Sequence, residues 1–358
     1  MKYVFRKVKD KTDRKLFLNF PSKLYTNYDN PQDYLCEKQL IDGNHILSDS
    51  FKFTPFLVLN NSGEVLCRCA VTIYPDDKTA YVGFFESIND VSVVRFMFQH
   101  IKRFVFGKGC REMIGPIDAS IYINYRFKAS HFNKTYTSEP YNKPYYVDLW
   151  EKCGFKISEK YVSNQLRKVK SIDIDKRLEK ISNKFQEKGY IFTSPTDETF
   201  QKNLIDVYHL MMKTYSGFPC FKKISGKQFL VLYSKLSKIA NYDMIKLVYK
   251  DGLLKAFCVC IPNYRYLTRG KMSINKLMKI KRVKESPDEY VVLYVGADSS
   301  SVGLGSSLIH HIRNELYKNE CTSIGALIKE GNLTGELYKD LYIDQYKYVL
   351  MKYKLGLN

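Results

Sequence analysis

Apolar positions late in the chain predict a strand, a loop and a helix in succession. The strand is the β-branched run EYVVLYV that starts at Glu289. A stretch of small residues follows it and ends in Gly303-Leu304-Gly305. After this loop, apolar residues recur at the spacing of one helical face, at Leu308, Ile309, Ile312 and Leu316. The segment is therefore expected to place a glycine loop at the N-terminus of a helix.

The glycine loop has the chemistry of a phosphate-binding turn. A helix N-terminus presents unpaired backbone N–H groups and the positive end of the helix dipole, and both favour an anion. Gly303 and Gly305 lack a Cβ, so a ligand can approach their amides, while Leu304 between them can point into the core. A tight turn without any ligand is an equally common use of two such glycines.

The same periodicity extends to the rest of the chain. It predicts a helix at 200–215, a hairpin at 247–261 that turns at Asp251-Gly252, a strand at 321–327, a helix at 332–341 and a strand at 345–354. The first half repeats this organisation, with strands at 56–59, 65–74 and 80–86 and a helix at 91–106. Its linker Ser87-Ile88-Asn89-Asp90 contains no glycine, so this copy has no phosphate loop of the same kind.

This order of elements resembles the C-terminal half of the GNAT superfamily of N-acetyltransferases. Val295 lies where the cofactor strand of that family ends, and Gly303 and Gly305 lie where its (Gln/Arg)-x-x-Gly-x-(Gly/Ala) motif has its small residues. Ser300 departs from the motif, because the family has Gln or Arg there. The departure removes one phosphate contact and leaves the backbone amides in place.

The resemblance implies a site for acetyl-CoA or another acyl-CoA, with no metal. Tyr338 falls where GNAT enzymes carry the tyrosine that protonates the departing CoA sulfur, although it could instead be one of many packed tyrosines. The acidic candidates for a general base are Asp288 and Glu289, which could equally be solvated charges at the strand end. The residues expected to bind the acyl-CoA are Tyr294, Val295, Val302, Gly303, Leu304, Gly305, Ser306 and Asn332.

Three motifs in the first half are similar to those of bacterial tandem-GNAT proteins with a degenerate N-terminal copy. They are Gly83-Phe84-Phe85-Glu86, Gly115-Pro116-Ile117-Asp118-Ala119-Ser120 and Tyr141-Asn142-Lys143-Pro144-Tyr145-Tyr146. The resemblance implies an α/β (α+β) fold of two tandem GNAT-like domains, each a mixed, mostly antiparallel sheet flanked by helices. We expect a degenerate domain at 1–166, a charged helical connector at 167–189 and a GNAT domain with the acyl-CoA loop at 190–358. The aromatic residues of the third motif either pack a domain junction or line an acceptor pocket.

Composition narrows the environment of the protein. The 358 residues open with a charged segment and contain no long apolar run, so we expect no signal peptide, no membrane span and a cytoplasmic location. The nine cysteines and six histidines form no ligand spacing, which argues against a zinc site. The net charge of +20 indicates either a polyanionic partner or a lysine-rich genome. The densest basic stretch, residues 276–284, could meet CoA phosphates or be a solvated loop.

Three functions fit these observations. The first is an N-acyltransferase in which an unidentified amine attacks the thioester of an acyl-CoA directly. The second is a transferase that uses aminoacyl-tRNA, for which the positive charge would serve phosphate binding. The third is a non-catalytic binding module that has kept the fold, which the serine at position 300 favours. The two motif glycines favour the first, because tRNA would not need them.

Overall fold

The computed structural model describes residues 3–26, 29–270, 272–331 and 339–356. The chain forms two compact units, each assembled from separate segments. Unit 1 contains residues 1–160, 269–272 and 347–358, and unit 2 contains residues 161–268 and 273–346. Among the helices of the described residues, none is both long and apolar enough to cross a bilayer.

The elements of unit 1 and their bounds follow the chain from its N-terminus. The strands are β1 (Val4–Lys7), β2 (Lys52–Leu59), β3 (Val65–Ile73), β4 (Thr79–Ser87), β5 (Glu112–Gly115), β6 (Phe127–Lys128) and the first part of β7 (Lys156–Leu166). The helices are α1 (Lys11–Asn19), α2 (Pro21–Leu24), α3 (Tyr34–Asp42), α4 (Val91–Phe106) and α5 (Tyr146–Lys152). Helix α4 covers one sheet face through Val94, Met97, Phe98, Ile101 and Val105, which are all buried as their spacing predicts.

Unit 2 repeats this order of elements. Its helices are α6 (Lys176–Glu187), α7 (Phe200–Thr214), α8 (Gly226–Tyr233), α9 (Leu236–Ile239), α10 (Ile274–Glu285) and α11 (Leu304–Lys318). Its strands are β8 (Ile191–Thr193), β9 (Ile245–Lys250), β10 (Leu253–Pro262), β11 (Glu289–Ala297) and β12 (Thr322–Lys329). The last strand of the chain is β13 (Tyr342–Lys354). The core under α11 includes Leu304, Leu308, Ile309, Ile312 and Leu316.

Both sheets have the same topology. In unit 1, β1 to β4 are antiparallel neighbours and β4 is parallel to β5. In unit 2, β8 to β11 are antiparallel neighbours and β11 is parallel to β12. Each sheet is mixed and mostly antiparallel with helices on its faces, which confirms the predicted fold class.

Each unit ends in a strand from a distant part of the sequence. Residues 161–166 of β7 pair with β12 in unit 2, and residues 351–354 of β13 pair with β5 in unit 1. The sequence analysis divides the chain at residues 166 and 189. It therefore assigns residues 161–166 to the first domain and residues 351–354 to the second. The structure also groups α6, the charged connector, with unit 2, because its side chains pack on α11. Hydrogen-bonded strand pairs decide which unit a strand segment belongs to, and the order of residues in the sequence does not reveal those pairs.

Candidate functional site

Strands β11 and β12 separate halfway along their length. They pair in parallel only from Glu289 with Thr322 to Val292 with Gly325. Beyond that point β11 has a bulge at Leu293, because Tyr294 pairs with Val259 and Val292 pairs with Cys260. A bulge bends its strand and increases the local twist. The edge of β11 from Leu293 to Ala297 is therefore not paired with β12.

Strand β12 turns away on the other side of the same opening. Its register with β7 shifts between Gly325 and Ile328, and Leu327 takes a φ of 56°. That angle is costly for a branched side chain and is held here by the structure around it. The Leu327 amide donates to the hydroxyl of Ser163 at 2.9 Å, on the β7 side. The two strands thus open a slot, which we call the β11 slot.

One acceptor in the β11 slot already has a donor. The hydroxyl of Tyr215, at the end of α7, donates to the carbonyl oxygen of Val295 at 2.9 Å. Burial raises the pKa of Tyr215, so the phenol remains a proton donor at neutral pH. A ligand that needs this carbonyl must displace the phenol or bind beside it.

The loop after β11 is organised by Asp298. Its carboxylate accepts hydrogen bonds from Lys213 Nζ at 2.8 Å and from the Ser300 amide and hydroxyl at 3.1 and 3.0 Å. The Lys213 ammonium first, and the Ser300 amide second, hold the pKa of Asp298 at about 2. Ser300, at the motif position where the family has Gln or Arg, is therefore bonded within the loop.

No described residue covers the N-terminus of α11 at Gly305. Gly303 caps the helix with a φ of 92°, a conformation that favours glycine, and no side chain caps it. A Cβ built on Gly305 meets no atom of the residues that the structure describes within 4 Å, and Val302 is 92% exposed. The first-turn amides of a helix have no intrahelical acceptor, so those of Gly305 and Ser306 are suited to an anion.

Other predicted binding residues have different surroundings. The side chain of Leu304 is fully buried in the core, as expected, and its amide bonds to the Ser301 carbonyl at 3.1 Å. The side chain and the amide of Leu304 therefore have partners within unit 2, and its role in binding stays a prediction. Tyr294 and Val295 are half-buried on β11 beside the slot. Asn332 and Tyr338 lie outside the described residues, so their predicted roles stay predictions.

The two acidic candidates for a general base lie at the paired end of β11. Glu289 is buried and accepts from Asn263 Nδ2 at 2.5 Å and from Thr322 Oγ1 at 3.2 Å, so it is not a solvated charge. Asp288 is exposed and pairs with Arg265 at 3.0 Å. The slot opens beyond Val292, so both carboxylates lie at the paired start of β11 and outside the slot. In the described part of the chain, no group of His, Cys, Asp and Glu could hold a metal.

An apolar pocket lies on the sheet face under α7 and α8. Its empty volume, which includes the open mouth, is about 490 Å³. Tyr294 forms part of the wall, so the pocket borders the strand that carries the slot. The other lining residues include Leu204, Val207, Phe229, Tyr233 and Phe257.

Unit 1 fills the equivalent opening with its own chain. The amide of Ile117 donates to the Val82 carbonyl at 2.9 Å, and the amide of Phe84 donates to the Asp118 carboxylate at 2.5 Å. A Cβ on Gly83 would come within 2.0 Å of the Ile117 carbonyl oxygen, which explains the glycine. The carboxylate of Asp90 caps α4 by accepting from the Ser92 amide. At this opening, therefore, β4 is bonded to residues 117 and 118 and α4 is capped by a side chain.

The three motifs of the first half meet around this filled opening. Tyr146 donates to Glu86 at 2.6 Å and Tyr145 donates to the Ser87 carbonyl at 2.9 Å. Asn142 accepts from the Lys128 amide at 2.7 Å and donates to its carbonyl at 3.2 Å. These bonds give the polar groups of the motifs partners within unit 1.

Comparison with solved structures identifies the fold class of the protein. No protein-family model matches the chain, and no curated protein sequence matches it. Among solved structures, a probable N-acyltransferase from Enterococcus faecalis aligns over 100% of this chain and 74% of its own, with 7% identity and a TM-score of 0.55. A GCN5-related N-acetyltransferase from Anabaena variabilis aligns over 99% and 74%, with 9% identity and a TM-score of 0.53. The chain therefore has the GNAT fold.

A further match specifies the arrangement. A tandem GNAT protein from the clavulanic acid biosynthesis pathway aligns over 100% of both chains, with 11% identity and a TM-score of 0.52. The present chain likewise contains two GNAT-fold units, the first with a filled opening and the second with an open one. At these identities the likeness extends to the fold and not to the substrate.

Sequence reasoning missed three features of the site. The bond from Tyr215 to Val295 and the ion pair of Lys213 with Asp298 join residues 80 and 85 positions apart. The apolar pocket also gave no local signal, because its lining residues read as ordinary core positions of α7 and β10.

Proposed function

We propose that the protein is an acyl-CoA-dependent N-acyltransferase whose site is in unit 2. The observation that carries the proposal is the coincidence of the β11 slot with the open N-terminus of α11. The first-turn amides of α11 would bind the pyrophosphate, and the edge of β11 beyond Leu293 would pair with the pantetheine arm. The exposed Val302 and the empty space at Gly305 leave room for this ligand.

The reaction we propose is direct attack on the thioester. The amine nitrogen bonds to the carbonyl carbon as the carbon–sulfur bond breaks, and the leaving sulfur takes a proton, for which Tyr338 is the proposed donor. The proton that the nitrogen loses passes to water, and water returns a proton to the tyrosinate, so the net products are the amide and the CoA thiol. The acceptor is a primary or secondary amine, and the apolar pocket beside Tyr294 would hold a hydrocarbon part of the substrates.

The Tyr338→Phe variant should bind acetyl-CoA as the wild type does and release CoA thiol more slowly.

Calorimetric titration with acetyl-CoA tests the proposal. Gly305→Trp should weaken binding at least about tenfold, because the indole would fill the space over the amides. Gly107→Trp, at an exposed glycine of unit 1, is the matched control and should leave binding unchanged. Absence of binding to the wild-type protein at millimolar acetyl-CoA would rule out the proposed site.

A pair of alanine variants tests the backbone conformation of the glycine loop in the absence of acetyl-CoA. Gly303→Ala should lower the free energy of unfolding by about 1–2 kcal/mol, because the left-handed backbone penalises a Cβ. Gly305→Ala should raise it by a few tenths to about 1 kcal/mol, because alanine favours a helix and meets open space. Urea unfolding measures both changes. Equal losses in the two variants would show that the loop is not as described.

A non-catalytic module is the second candidate. The observations that favour it are the Tyr215 hydroxyl on the Val295 carbonyl and the inward bonding of Ser300, which leave fewer groups for CoA. Acetyl-CoA binding without any thiol release on a panel of amines would favour this candidate.

A further inference from the structure

Helix α10 buries none of its residues. It runs from Ile274 to Glu285 in unit 2, between β10 and β11, and carries the basic stretch noted in the sequence. The half-buried positions Lys276, Ile280, Val283 and Lys284 share its inner face. A helix of twelve residues is marginal in water without tertiary packing. This helix therefore gains less from its own unit than the other long helices do.

The outer face of α10 begins with bulky apolar side chains. Ile274, Leu277 and Met278 are 76%, 54% and 59% exposed. Their spacing of three and four residues places them on one side of the helix, and we call them the apolar tip. Single exposed apolar residues are common on proteins, but three on adjacent turns form a patch.

The rest of the helix is strongly basic. Five of its residues are lysine or arginine, and Glu285 is its one acidic residue. Within the described residues, Lys279 and Arg282 form no ion pair, and Lys281 has only an exposed contact to Glu285 at 3.8 Å. Lys284 instead donates to the carbonyls of Ser237 and Lys238, which holds the inner face against α9.

We propose that α10 docks the protein on an anionic lipid surface. Cationic side chains beside an apolar tip match a bilayer interface, where lipid phosphates meet hydrocarbon. A nucleic acid would use the cations but would offer no apolar phase to Ile274, Leu277 and Met278. The helix would lie on the surface rather than span it. This function is separate from acyl transfer and does not depend on it.

Co-sedimentation of the full-length protein with vesicles tests the proposal. Vesicles of phosphatidylcholine mixed with phosphatidylglycerol should bind the wild type, and pure phosphatidylcholine should not. Ile274→Gln/Leu277→Gln/Met278→Gln should reduce binding at least about tenfold while keeping residues that favour a helix. Lys279→Gln/Arg282→Gln should reduce it about 25-fold, since each cation near an anionic surface contributes about fivefold.

Matched variants on other elements control for overall charge and apolarity. Lys180→Gln/Lys184→Gln removes the same charge from exposed positions of α6, and Ile343→Gln removes an exposed apolar side chain from β13. Both should bind vesicles as the wild type does. In addition, hydrogen exchange of the amides of residues 274–285 should slow when vesicles are added, a readout that needs no variant.

Three outcomes would overturn the proposal. The first is no binding to anionic vesicles. The second is binding that the apolar-tip variant retains in full, which would indicate charge attraction alone. The third is a preference for tRNA over vesicles that only the lysine and arginine variant loses, which would identify a nucleic-acid surface instead.

Discussion

Glu86 is a carboxyl group buried within unit 1, among the first-half motifs. Its pKa is raised to about 7, mainly by burial, against the lowering effect of Arg68 and of the hydrogen bonds from tyrosine. Arg68 is itself buried and held by Glu37 in a bidentate ion pair at 2.7 and 3.0 Å. Glu86 therefore faces a cation that already has a partner. The network gives the first unit a pH dependence of its own.

We predict that Glu86 makes unit 1 less stable as the pH rises from about 4.5 to about 7. The pKa of this group is higher in the folded than in the unfolded state, so its contribution is complete below the unfolded pKa and is lost through the folded one. The loss should be on the order of 3 kcal/mol. Glu86→Gln should remove it and be more stable than the wild type at pH 8.

Trp150 provides the measurement. It is the only tryptophan, it is fully buried, and its ring lies 5.4 Å from that of Phe85, beside Glu86 in the chain. Urea unfolding followed by its fluorescence across pH should show the difference between wild type and variant. Glu64→Gln, at an exposed hairpin turn, serves as the control. Parallel pH profiles for wild type and Glu86→Gln would contradict the assignment.

Individual residues were predictable where their role is local. The turn at Gly303, the buried Leu304 and the hairpin at Asp251-Gly252 follow from neighbouring residues, and the structure has all three. Asp298 and Tyr215 were not predictable, because their partners lie far away in sequence. The same holds for Glu289, which the sequence leaves as a strand-end charge and the structure buries.

At the scale of elements, hydrophobic periodicity predicts well which helices and strands exist, and it predicts poorly which strands pair with each other. The helix predicted at 91–106 has those bounds, and the helix predicted at 200–215 ends one residue earlier. The basic stretch at 276–284 is a helix rather than a loop, since lysine and arginine favour helices and Ser273 caps it. The bulge at Leu293, which opens the slot, depends on β10 and has no signal within β11.

The hydrogen bond from Tyr215 to Val295 in the β11 slot leads to a prediction about acetyl-CoA binding. Tyr215→Phe should lower the free energy of unfolding of the free protein by about 1–2 kcal/mol, because the Val295 carbonyl loses its donor. Acetyl-CoA should bind this variant up to about fivefold more tightly than it binds the wild type, because a pantetheine amide can then donate to the carbonyl without displacing a phenol. Thermal unfolding with and without acetyl-CoA measures both effects.

Tyr208 offers a matched control on the same helix. Its hydroxyl donates to the Ile224 carbonyl at 3.0 Å, away from β11. Tyr208→Phe should cost similar stability and leave the affinity for acetyl-CoA unchanged. Weaker binding to Tyr215→Phe alone would mean that the Tyr215 hydroxyl contacts the ligand itself, and the account of the slot would then need revision.

At the scale of the whole molecule, the exchange of end strands is the feature that sequence patterns could not reveal. The strand at 345–354 was predicted correctly as a strand, but a strand pattern does not name its neighbour. Its final residues complete the sheet of unit 1, where Tyr348, Val349 and Met351 are buried. Tyr348 also donates to Glu139 at 2.5 Å, beside the fully buried ion pair of Lys128 and Glu139.

The last segment of the chain should therefore be required for unit 1 to fold. Deleting residues 347–358 removes four buried hydrophobic side chains from unit 1, each worth about 1.5–3 kcal/mol, and opens a buried ion pair. The sum approaches the whole stability of an ordinary domain. Loss of the native Trp150 fluorescence in the truncated protein would report the unfolding.

A rescue separates strand exchange from a general effect of truncation. The fragment 1–160 should be unfolded alone and should regain native Trp150 fluorescence when residues 347–358 are fused to its end through a flexible linker. The same fusion with Val349→Asp and Met351→Asp should stay unfolded, because both side chains lie in the core of unit 1. If fragment 1–160 folded without the added segment, the strand would be an accessory to unit 1 rather than part of its core.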